Sequence, residues 1–148
     1  MNLAKSLATG LAVFGTLALT QPTLAQTATA TDGPKIGLEL NKLESIEGGC
    51  RAYVVFRNPT EVEYDAFNLE LLVFGAGGVI EKRLAVPVSP LRPNKTTVNL
   101  FDMTSVSCDD VGEVLLNGFF ECTSGGQAVE ACVDRVELSS KAKARFYK

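Results

Sequence analysis

From Ile36 onward the dominant period of the apolar residues is two, and that is the strand period. Ile36, Leu38 and Leu40 alternate with Gly37, Glu39 and Asn41. Cys50, Ala52, Val54 and Phe56 alternate with Arg51, Tyr53, Val55 and Arg57, and Asn58-Pro59 stops the run. Phe67, Leu69, Leu71 and Val73 mark a third strand, and Ile80, Lys82, Leu84 and Val86 one face of a fourth. Gly75-Ala76-Gly77-Gly78 joins these two as a hairpin, because glycine tolerates the left-handed backbone that tight turns require. Pro87, Pro90 and Pro93 forbid a central strand, and Leu91 among them is expected to plug the core from a loop. A fifth strand opens at Thr96, Val98 and Leu100 and runs to about Met103. A loop or single helical turn over Val106–Gly112 follows. The sixth strand covers Glu113–Cys122, with Val114, Leu116 and Phe119 in the core and a bulge at Asn117-Gly118. Thr123–Glu130 is a Gly-rich loop. The seventh strand opens at Cys132 or Val133 and keeps Val136, Leu138, Ser140, Ala142, Ala144 and Phe146 on one face. No window of a dozen residues carries a helical stripe. The expected fold is therefore all-β: a seven-stranded antiparallel β-sandwich, with a small β-barrel as the alternative.

The beginning of the chain has a different character. Met1–Lys5 is basic, Leu7–Leu19 is apolar and uncharged, and Thr23-Leu24-Ala25 presents small residues where a signal peptidase reads. The expected organisation is a signal peptide over 1–25, a flexible Ala/Thr-rich leader over 26–35, and one domain over 36–148. Ala28-Thr29-Ala30 is a second possible cleavage site. The apolar run is shorter than the roughly 20 residues that span a bilayer, so no transmembrane segment is expected after cleavage. The expected location is periplasmic or secreted, an oxidising space in which Cys50, Cys108, Cys122 and Cys132 can pair.

The chain has no His and no Trp. His is the commonest general base and the commonest metal ligand, so its absence removes Ser-His-Asp hydrolases, Cys-His enzymes and most zinc or copper sites. A Cys-x-x-Cys pair is missing too, against a thiolate zinc site or a redox dithiol. With 14 basic and 17 acidic residues the net charge is −3, and loss of Lys5 makes it one unit more negative. That balance argues against nucleic acid and anionic membranes as partners. No enzyme, cofactor or metal is expected. Three clusters still invite a functional reading. Asp109, Asp110 and Glu113, with Asp102 upstream, offer oxygen ligands for calcium, but match no calcium-loop spacing. Lys141, Lys143, Arg145 and Lys148 form a basic stripe that suits either an acidic partner or edge-strand protection. Asn94-Lys95-Thr96 matches a glycosylation sequon by coincidence in a chain with a bacterial-looking signal.

The order of the first six strands resembles a fibronectin-III or immunoglobulin-like module. Ser89-Pro90-Leu91-Arg92-Pro93-Asn94-Lys95-Thr96 resembles the proline-bounded corner before a middle strand in bacterial secreted modules of that type. The whole chain also resembles short exported alphaproteobacterial proteins of the "Tat pathway signal sequence domain" type, which have no assigned activity. No Arg pair precedes the apolar run here, so the general secretion route fits better. The resemblance implies no functional residue. It does imply a cysteine pairing. In an immunoglobulin-like order the second and fifth strands are antiparallel neighbours and the sixth and seventh form a hairpin. Cys50 then meets Cys108, and Cys122 meets Cys132, at opposite ends of the sandwich. Other pairings would span about 20 Å of strand, against the roughly 7 Å a disulfide allows. The expected role is a non-enzymatic protein-binding or accessory module with an unknown protein partner, presented by the loop Thr123–Glu130 or the C-terminal strand. A periplasmic small-ligand or calcium-binding protein is the alternative.

Overall fold

The computed structural model describes residues 33–148; the expected signal peptide and most of the leader lie outside the described residues. Strands β1 (Ile36–Ile46), β2 (Gly49–Asn58), β3 (Ala66–Gly75), β4 (Ile80–Pro87), β5 (Lys95–Thr104) and β6 (Val111–Ser124) follow in sequence. Then come the short β7 (Gln127–Ala128), a 3-10 turn at Cys132–Arg135, β8 (Val136–Ser140) and β9 (Arg145–Tyr147). The class is all-β. One sheet has the order β5-β2-β1-β8; the other has the order β4-β3-β6-β7, with β9 also paired to β6.

Two expectations need correction. The described strands number nine rather than seven, and the sheets are mixed rather than antiparallel, since β8 runs parallel to β1 and β9 parallel to β6. Both corrections come from the C-terminal segment. The alternation Val136 to Phe146 persists, with Val136, Ala144 and Phe146 buried. The chain nevertheless breaks after Ser140 and crosses from one sheet to the other. Its backbone leaves β1 where Lys141 N–H donates to the Leu40 carbonyl at 2.9 Å. The Ser140 hydroxyl donates to the Ala144 carbonyl at 2.7 Å and fixes the corner. Leu40 is also where β1 slips its register against β2, at a bulge that leaves Asn41 unpaired.

Alternate residues of both sheets share one buried cluster. Leu38, Leu40, Val54 and Phe56 contribute from one sheet, and Phe67, Leu69, Leu71, Val73 and Leu116 from the other. Leu91 is fully buried from its loop, held by reciprocal backbone hydrogen bonds with Tyr64 at 2.9 and 3.0 Å. Asn58, only 1 % exposed, ties this region together. Its amide donates to the carbonyls of Val62 (2.8 Å) and Arg92 (3.1 Å), and its oxygen accepts from the Thr60 hydroxyl (2.7 Å) and N–H (3.1 Å). A buried amide so satisfied carries little desolvation penalty. At the β1–β2 hairpin, Gly48 takes φ 78°, the left-handed geometry of a two-residue turn.

Cys50 is bonded to Cys108 and Cys122 to Cys132, with Cα atoms 4.9 and 6.5 Å apart. Cys50 lies opposite Ser45 near the end of β1, whereas Val136, just past Cys132, lies opposite Ile36 at its start. The bridges therefore sit at opposite ends of the β1 sheet. The second does not close a simple hairpin between two long strands. Cys132 lies in the 3-10 turn, and the hairpin partner of β6 is the two-residue β7.

Candidate functional site

β6 has a partner along its whole length on one side only. β3 pairs with it from Val111 to Thr123. On the other side, β9 covers Glu113–Leu115 and β7 covers Thr123–Ser124. Among the described residues, no strand pairs with Leu116–Cys122 on that side. Two bulges fall in this interval, at Asn117 and at Phe120, where the register against β3 slips. A bulge re-aims side chains that strict alternation would alternate, and here it admits Phe119 and Phe120 in succession. Phe119 turns inward and packs edge-to-face on Phe67, ring centroids 4.8 Å apart. Phe120 is left 51 % exposed, with the Arg83 guanidinium 5.1 Å from its ring centroid.

Beside this doublet lies a cleft of about 500 Å³ lined by Phe119–Thr123 of β6 and by Ala128, Val129 and Ala131–Val133. The Cys122–Cys132 bond forms part of its wall. Several local contacts hold the loop that frames it. Val129 N–H donates to the Cys122 carbonyl at 2.9 Å. Gly126 N–H donates to the Asp65 carboxylate at 2.8 Å. Asp65 N–H in turn donates to the Thr123 carbonyl at 2.9 Å. Ala131 sits at φ 52°, a left-handed conformation that costs a residue with a Cβ about 1 kcal/mol. Glu121 is the one lining residue with a titratable side chain. The rest of the lining is mainly apolar.

A second cleft of similar size flanks the other disulfide, lined by Ser45, Ile46, Gly48, Gly49 and Ser105–Cys108. Its hydroxyl-rich wall suits polar groups, and no charged side chain lines it.

The clusters singled out in the sequence are dispersed by the fold. Asp102 accepts two hydrogen bonds from the Arg51 guanidinium, at 2.7 and 2.9 Å, and this contact holds its carboxyl below the usual range. Glu113 pairs with Arg145 at 3.3 Å. Asp109 and Asp110 cap the local turn through Ser107 instead, each as a backbone N–H donor. Among the described residues no three His, Cys, Asp or Glu side chains converge on a metal-sized site. The basic stripe is largely engaged within the domain. Lys141 pairs with Glu39 at 3.3 Å, Arg145 lies 4.4 Å from the Tyr147 ring centroid, and Lys148 donates to the carbonyls of Val133 and Val136. Asn94 of the sequon donates to Glu61 at 2.8 Å.

Of the two surfaces expected to meet a partner, the loop Thr123–Glu130 supplies part of the cleft wall. The Phe120 half lies outside both of those surfaces, and its signal in the sequence is the Phe119-Phe120 doublet: two large apolar neighbours cannot both face the core of a strand. No helix of the described residues is long and apolar enough to cross a membrane. No family model, curated protein or solved structure matches this chain.

Proposed function

We propose that this chain is an exported, non-enzymatic β-sandwich of immunoglobulin-like type that binds another protein through the cleft beside Cys122–Cys132. The immunoglobulin-like reading draws on strand order. The runs β5-β2-β1 and β4-β3-β6 correspond to E-B-A and C′-C-F in such modules. The last strand departs from that plan by dividing between the sheets. Export is supported by the signal-like first 25 residues and by two disulfides among the described residues, the chemistry of an oxidising compartment.

One observation carries the binding assignment: a half-exposed phenylalanine stands at the lip of an apolar cleft whose wall is cross-linked. Aromatic anchors next to pre-formed pockets dominate binding energy at protein interfaces, and a cross-linked wall loses little freedom on binding. Selection of random displayed peptides against the purified domain tests this. Peptides with adjacent or alternating apolar side chains should be enriched, and Phe120→Asp and Val129→Asp should each weaken their binding about tenfold or more. Selected peptides that bind both variants as well as the parent would refute the assignment.

A further inference from the structure

Each edge of a β-sheet offers unpaired backbone groups to any passing strand, and soluble proteins blunt such edges with charge, proline, bulges or brevity. Most described edges here are blunted. β4 carries Glu81, Lys82 and Arg83 and ends at Pro87; β7, β8 and β9 are two, five and three residues long. The open stretch Leu116–Cys122 of β6 is broken by two bulges, whereas β5 has no such device. It is ten residues long and pairs with β2 at every position without a bulge. Between Lys95 and Asp102 its sequence, Thr96 to Phe101, holds no charge, glycine or proline.

Its outward face is also apolar. Val98 and Leu100 are 52 % and 49 % exposed, and their neighbours across β2 are Val55 and Tyr53. We propose that β5 is a self-association edge, at which two copies of this chain pair antiparallel across a two-fold axis perpendicular to the sheet. Such an axis keeps outward faces outward, so paired residues must share parity. That leaves three central registers. Centring on Leu100 sets Val98 against Asp102 of the second copy, a carboxylate against an apolar side chain, twice. Centring on Val98 sets Leu100 against Thr96. Centring on Asn99 sets Val98 against Leu100 and Leu100 against Val98, and places Thr96 opposite Asp102. Only this last register matches both exposed apolar residues with apolar partners. It is also the register with the best charge pattern. Asp102, already held by Arg51, meets a hydroxyl and lies one strand from Arg57, which neighbours Thr96 on β2. No like charges oppose each other. The pairing would merge two four-stranded sheets into one of eight.

Sedimentation velocity over a range of concentrations tests the edge, and charge exchange tests the register. The parent domain should dimerise with rising concentration. Val98→Lys and Leu100→Glu should each be monomeric, because each sets a charge against an apolar partner. An equal mixture of the two variants should dimerise again, since Lys at 98 then faces Glu at 100. Both side chains are about half exposed, so both variants should keep the parent circular-dichroism spectrum. A parent domain that stays monomeric, dimerisation undisturbed by either substitution, or a mixture that stays monomeric while the parent dimerises would each overturn the proposal. The cleft beside Cys122 is a separate surface, and peptide binding there neither supports nor weakens this pairing.

Discussion

Asn58 and Glu39, the two buried polar side chains among the described residues, show how single polar groups hold this molecule together from opposite faces of their sheet. Asn58 is buried and bonded by both ends of its amide, so Asn58→Ala strands the Val62 and Arg92 carbonyls and the Thr60 donors. The expected cost is about 1–3 kcal/mol, read as a lower denaturant midpoint at unchanged slope. Glu39 sits on the outer face, where the Asn41 amide first, and then Lys141 and Arg57, hold its carboxyl below the usual value. Glu70 is lowered by Asn117 and then Arg83, Glu44 by Lys42 and then Tyr53, and Asp102 by Arg51. In each case the folded value lies under the unfolded one, so the unfolded chain takes up protons first on acidification. The contribution is complete above the ordinary carboxylate range near pH 4 and is lost as the pH falls through the folded values. The denaturation midpoint should therefore drop below about pH 4, and Glu39→Gln should flatten that drop. Tyrosine gives the opposite limb. Bonding to Glu44 raises Tyr53, and bonding to Glu113 raises Tyr147. Their contribution is present below about pH 10 and lost as pH rises above it, which an ultraviolet titration of the phenols will follow.

At the scale of elements, most of the strands were legible because each carries its own alternation and its own stop. Asn58-Pro59 ends β2, Gly75–Gly78 turns β3 into β4, and Leu91 fills the core from a proline-rich loop. The failures share a cause. β7 and β9 are too short to own a pattern; they exist because the outer edge of β6 receives them. The division between β8 and β9 interrupts a run whose alternation is continuous from Val136 to Phe146. What breaks it is a set of bonds to Leu40, a hundred positions away from Ser140, and no local reading reaches that far. The candidate cleft was half legible for the same reason. Its loop wall announces itself by composition, but its floor depends on a bulge at Phe120 that only the pairing with β3 defines. Ser140→Ala should test the corner. Losing one hydrogen bond to the Ala144 carbonyl should cost about 0.5–1.5 kcal/mol, and amide exchange should quicken across β9 more than across β2.

For the whole molecule, the cross-links and the sheet order act together. The bridge Cys50–Cys108 spans 58 positions and Cys122–Cys132 spans ten. Longer loops lose more entropy when closed in the unfolded chain, so the first bridge should contribute about 3–4 kcal/mol and the second about 2–3 kcal/mol. Paired Cys→Ala variants, compared by chemical denaturation, will rank them: Cys50→Ala with Cys108→Ala should be the less stable.

The parallel partnership of β8 with β1 has one more consequence, and it concerns time. Ile36 through Leu40 lie against Val136 through Ser140, so the earliest strand waits for nearly the latest one before its second flank is occupied. A nascent polypeptide cannot finish that sheet by degrees. Non-local pairing of this kind slows folding, and it postpones completion until Ser140 has been delivered.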